Sequence, residues 1–196
     1  ENVNRPFLMS AFVRWLLSRY HLLLFKRNYI GHPSTTMIKN NLMEWFDPTI
    51  KWVVDFEFYL RLLHQKKDFI YLSQSLINIG MGPHQITREV FRKKEVEIPE
   101  NIYLLNKLGT SCLNNIFVYD YYWRLFRNLE IVDIGEVKEL CKEMCVPEII
   151  NVMILRQVKI GVKKLQRNRF QSKFHMFLSY LQFTLNHTSA RLQCSL

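Results

Sequence analysis

The sequence predicts an α/β segment over residues 1–95 followed by a mainly α-helical region over residues 96–196. Three observations carry this expectation. Between residues 28 and 90, Gly and Pro breaks separate short runs rich in β-branched and aromatic residues, as in strands and turns. Inside that stretch, residues 55–66 place apolar side chains at helical spacing. From about Pro99 onward, helical spacing runs nearly without a break.

Residues 10–27 open the chain as a helix, with Ser10 as its cap and Phe12, Trp15, Leu16, Leu22 and Leu23 on a recurring face. Gly31 and Pro33 end it, and TTMIK (35–39) suits a short strand. FDPTIKW (46–52) is a turn, because Asp47 precedes a proline and so avoids helical geometry. A helix from Asp55 to Lys66 follows, with Phe56, Tyr59, Leu60 and Leu63 as its inward stripe. FIYL (69–72) and LINI (76–79) read as two strands around Ser73 and Gln74, and GMGPHQIT (80–87) as a loop. In the helical region, Asp133 and Glu136 have capping-box spacing and Pro147 suits a first helical position. The aromatic run FVYDYYWRLF (117–126) reads as helix packing, with stacking on an acceptor sugar as the alternative.

The charge balance is one-sided. Twenty-seven Lys and Arg against 17 Asp and Glu leave a net +10, which favours an anionic partner such as a nucleotide, a lipid surface or nucleic acid. No apolar run is long enough to span a bilayer, and no signal-peptide pattern is present. The chain starts at Glu1 and is expected to be the downstream part of a longer protein. Its cysteines (112, 141, 145 and 194) form no CxxC pair, so buried free thiols in a reducing, cytoplasmic compartment are expected. Cys141 and Cys145 would share a helix face, without the further ligands of a zinc site.

VVDFEFYLRL (53–62) sets two acids among apolar neighbours, where an unpaired carboxylate is costly. Glu57 and Arg61 stand four apart with the acid first, the favourable helix pair, worth about 0.2–0.5 kcal/mol. Asp55 opens the helix. It suits a plain cap or first-turn acid held by the helix dipole, and the same dipole would keep a general base ionised.

NYIGHPSTTMIKN, FDPTIKWVVDFEFYLRLL and LINIGMGPHQIT, in that order, resemble the second half of a family 2 glycosyltransferase catalytic domain over residues 28–90. Asp47 matches that family's fD turn, Asp55, Glu57 and Arg61 its D-x-[DE]-x-x-x-R element, and Gln85, Ile86 and Thr87 its Q-[VI]-[ST] ending. The resemblance implies residues 1–95 as the acceptor-side half of a nucleotide-diphospho-sugar transferase fold, and an inverting transfer that builds cell-surface polysaccharide. Asp55 would take the proton of the attacking acceptor hydroxyl. His84, Gln85 and Thr87 would bind substrate, His84 by touching metal or phosphate after a loop shift, since the family's usual histidine position falls on Gly82. A divalent ion, Mn or Mg, is implied too, with its main ligands elsewhere. Val54 stands where relatives often carry a further acid, and neither Asp-x-Asp nor a phosphate loop occurs, so the donor-binding half is expected to be missing. The implied partners are a nucleotide-sugar and a carbohydrate or lipid-linked acceptor.

The tail has its own pattern. Arg156, Lys159, Lys163, Lys164, Arg167, Arg169 and Lys173 fall in one segment without an acid, and FHMFLSYLQFTL follows. This fits a solvated basic face on a core helix, or peripheral contact with the anionic inner face of a membrane. Nucleic acid is disfavoured, because no zinc finger, RNP-like motif or helix-turn-helix accompanies the charge. The alternative to an enzyme is a non-catalytic basic helical module that binds a membrane or a partner protein.

Overall fold

The computed structural model describes residues 8–39, 45–65, 69–74, 76–77 and 90–193, the last seven by their backbone only. The chain forms two compact units, Glu1–Phe91 and Arg92–Leu196.

In the first unit, α1 spans Ala11–Arg19, and the Ser10 hydroxyl caps it by accepting from the Val13 N–H at 3.3 Å. The predicted single helix breaks at Tyr20 and continues as a tighter 3₁₀ turn, His21–Phe25. That turn drives Leu23, Leu24 and Phe25 into the core, where Phe25 meets Phe56 edge-on at 4.9 Å. Helix α2 spans Val54–His64 and buries the expected Phe56, Tyr59, Leu60 and Leu63, together with Phe58.

No strand occurs among the described residues, so the α/β segment expected for residues 1–95 is overturned. The local chemistry explains part of it. In TTMIK, the Thr35 hydroxyl donates to the His32 carbonyl and that of Thr36 to the Pro33 carbonyl, each at 2.8 Å. These side-chain bonds close a 3₁₀ turn over Pro33–Thr35 where a strand needs an open edge. In FIYL, the Tyr71 hydroxyl accepts from the Met9 N–H at 3.0 Å, and the backbone of 69–72 is irregular. β-formers favour a strand only when a neighbour takes their N–H and C=O groups. Of LINI, residues 76–77 are irregular too, and 78–79 lie outside the described residues.

The second unit is helical, as expected: α3 (Lys94–Leu108), α4 (Ile116–Asn128), α5 (Ile134–Cys141), α6 (Glu148–Ile160), α7 (Val162–Arg167) and α8 (Arg169–Gln193). Helix α4 is its centre and packs on α6, α7 and α8. Asn115 caps it, accepting from the Phe117 N–H at 2.9 Å. Tyr119, Tyr122, Trp123 and Phe126 form a fully buried stripe at helical spacing. Each polar tip finds a partner, as buried polar groups require. The Tyr119 hydroxyl meets Ser179 Oγ at 2.8 Å, Trp123 Nε1 donates to Ser172 Oγ at 3.1 Å, and the Tyr122 hydroxyl donates to the Asn101 carbonyl at 2.8 Å.

Those bonds set the rotation of α8. Its inward face is Ser172, Met176, Ser179 and Phe183, all buried. The two serines face the polar tips of Trp123 and Tyr119, so the more apolar face of α8 is not the one that packs.

Two helix starts differ from expectation. Asp133 precedes α5 but makes no side-chain cap bond, and Glu136, the other half of the expected box, pairs with Lys94 at 2.6 Å. Pro147 sits one residue before α6, which opens at Glu148. Helix α5 ends at Cys141, so Cys145 lies beyond it and the two thiols do not share a helix face.

Candidate active site

Asp55 is the second residue of α2. Val53 precedes the helix with a side chain that cannot cap it, so the first turn leaves N–H groups open. Asp55 fills this gap: its carboxylate accepts from the Phe56 N–H at 2.9 Å and from its own N–H. Those two donors fix the orientation of the carboxylate.

Its electrostatics are a contest. Half-burial raises the Asp55 pKa above the ordinary carboxylate value; the two N–H donors and the nearby His32 oppose this, and burial wins. Asp55 makes no ion pair with any described residue. Glu57, two residues on, is the opposite case. It is buried, and Arg61 grips both of its oxygens at 2.9 and 3.1 Å. Arg61 also donates to the Trp45 carbonyl at 2.7 Å and lies over the Phe58 ring. Glu57 is therefore a structural acid, as its spacing predicts, whereas Asp55 makes no such pair among the described residues.

The surroundings of Asp55 are polar. His32 comes from the HPST segment. Tyr59, one turn along α2, brings its hydroxyl to 3.5 Å from Thr36 Oγ1, at the limit of hydrogen-bond reach. Burial raises the Tyr59 pKa, and the charge of Asp55 raises it further. The structure thus joins His32, Thr36, Asp55 and Tyr59 into one cluster. Sequence reasoning selected only Asp55 from it. The missed signal for Tyr59 is its four-residue spacing from Asp55, which places both on one helix face.

The other site residues divide cleanly. Asp47 closes its own turn, accepting from the Thr49 N–H at 3.0 Å and its hydroxyl at 2.6 Å. His84, Gln85 and Thr87, expected to bind substrate, lie outside the described residues, as do Gly82 and Ile86. A divalent ion takes several oxygen ligands. No group of three or more His, Cys, Asp or Glu that suits a metal occurs among the described residues.

Elsewhere in this unit, Ala11, Arg14, Trp15, Ser18 and Phe69 line a shallow pocket. Cys112 and Cys141 are free, and burial pushes both thiols up to about 11. No helix among the described residues is long and apolar enough to cross a membrane.

No known family, curated protein or solved structure matches the chain.

Proposed function

We propose that Asp55 is the general base of a transfer reaction onto a hydroxyl acceptor, and that the transferred group is a sugar carried by a nucleotide. The observation that supports the first part is the contrast between two carboxylates on one helix turn. Glu57 is neutralised by Arg61; Asp55 is oriented by N–H groups, free of any described ion pair, and shifted toward the pKa of a useful base. The second part rests on the ordered resemblance of residues 28–90 to family 2 glycosyltransferases.

The chemistry follows from the groups present. An acceptor hydroxyl hydrogen-bonded to the Asp55 carboxylate gives up its proton as its oxygen attacks the sugar carbon, and the nucleotide leaves from the opposite face. The bond formed is oxygen to anomeric carbon; the bond broken is anomeric carbon to phosphate oxygen. Thr36, Tyr59 and His32 offer hydrogen bonds to the other hydroxyls of a carbohydrate acceptor.

The test is an initial-rate assay of the full natural chain with nucleotide-sugars and hydroxyl acceptors. Asp55→Asn is expected to lower turnover by about 10²–10⁴ while binding of the acceptor changes little. Turnover within a few-fold of the parent would return Asp55 to a first-turn acid. Transfer of a non-sugar group alone would overturn the donor assignment.

A further inference from the structure

Helix α8 carries a second apolar stripe, opposite the face that packs. Phe170, Phe174, Phe177, Leu181 and Leu185 recur at three- and four-residue spacing, and each is exposed, from 39% at Leu181 to 84% at Phe170. The stripe runs about 22 Å along the helix. Single exposed apolar residues are ordinary, but an aligned row headed by three phenylalanines marks an interaction surface.

The charge that precedes it in sequence says what covers it. Lys163, Lys164, Arg167 and Arg169 are exposed on α7 and the first turn of α8, and no side-chain bond ties them among the described residues. Lys173 lies one turn from both Phe170 and Phe177 and is also exposed. Asp120 reaches Lys173, and no ion pair among the described residues holds the others. No acid occurs between Arg156 and Lys173.

We propose that this face of α8 lies in the interfacial layer of an anionic lipid bilayer, with the phenylalanines among the acyl chains and the basic residues at the headgroups. A helix of this kind binds by apolar area plus attraction to anionic lipid. A second copy of the chain is the poorer occupant. Two such faces brought together by a two-fold axis would set the same unpaired lysines and arginines side by side, on a protein already at +10. Nucleic acid uses aromatic platforms with basic grooves, but gives no use for the leucines that continue the stripe.

The experiment is co-sedimentation of the full chain with two vesicle types, pure phosphatidylcholine and phosphatidylcholine in which phosphatidylglycerol replaces a part, at low and high salt. Expected is recovery on the anionic vesicles that falls with salt and is weak on the neutral ones. The variant Lys163→Gln/Lys164→Gln/Arg167→Gln/Arg169→Gln should lower anionic partitioning by about 10² or more. The variant Phe170→Ser/Phe174→Ser/Phe177→Ser should abolish it with the helical circular dichroism unchanged. Recovery on neither vesicle, or equally on both, overturns the proposal. So does a concentration-dependent dimer in sedimentation velocity that the phenylalanine variant dissolves while vesicle binding stays absent.

Discussion

Ser172→Ala and Phe174→Ser are neighbouring changes on α8 with opposite expected costs from those hydrophobicity suggests. Ser172 Oγ accepts from Trp123 Nε1 at 3.1 Å and from Arg127 Nη1 at 2.7 Å. Alanine removes both acceptors. The Trp123 side chain is fully buried, so its N–H is left without water, at about 1–3 kcal/mol. Arg127 is half-buried; water recovers part of its loss, and the total is about 2–4 kcal/mol. Phe174 points outward at 53% exposure, so its replacement by serine should change stability by no more than about 0.5 kcal/mol. Urea unfolding followed by far-ultraviolet circular dichroism reads both. With a slope of about 1–3 kcal/mol per molar, Ser172→Ala should lower the midpoint by roughly 1–2 M and Phe174→Ser should leave it in place. If Phe174→Ser proved the costlier change, α8 would be docked by its phenylalanine face, and the lipid proposal would fall with it.

Three further outcomes are expected. Arg61→Met strips Glu57 of its bidentate partner and should cost about 3–5 kcal/mol, much of it restored in the Arg61→Met/Glu57→Gln double variant; additive losses in a double-mutant cycle would contradict the pair. Because the folded-state pKa of Asp55 is raised, its ionisation opposes folding: the penalty is absent below the ordinary aspartate value, about 3.9, and complete above the raised one. Asp55→Asn should therefore be more stable than the parent at neutral pH and converge with it in acid, and the acid limb of any pH–rate profile should lie above the ordinary aspartate value; equal stability at all pH would refute this. Among the described cysteines, Cys145 is exposed while the Cys112 and Cys141 thiols are pushed up to about 11, so iodoacetamide at neutral pH should label Cys145 first, as peptide mass mapping would show.

Helices were legible in the sequence because a helix writes its own period. The stripe of α2, the Ser10 cap and the aromatic face of α4 all follow from residues within a few positions of each other. Strands were not legible, because a strand needs a neighbour that its own residues do not name; in TTMIK the threonine hydroxyls closed a local turn instead. Glu57 as a salt-bridge partner followed from its spacing to Arg61. The polar setting of Asp55 did not, since His32 acts on it, and Thr36 meets the neighbouring Tyr59, from a segment remote in sequence. The orientation of α8 was illegible for a related reason. Counting apolar residues favours its phenylalanine face, while the serines that anchor the other face gain their value only from the indole and phenol opposite.

Asn101 has a consequence for chemical ageing. Fully buried in α3, it gives its amide N–H to the Glu97 carbonyl at 2.7 Å and receives the Tyr121 hydroxyl on its amide oxygen at 2.7 Å. One end must donate and the other accept, which only an amide of this length does here. Deamidation would replace the donating nitrogen with oxygen and set two acceptors against each other in a dry interior. The helix that hides Asn101 also denies its backbone the geometry for succinimide closure. A residue that tolerates deamidation poorly is thus sheltered from it, and damage there should wait on unfolding of the unit.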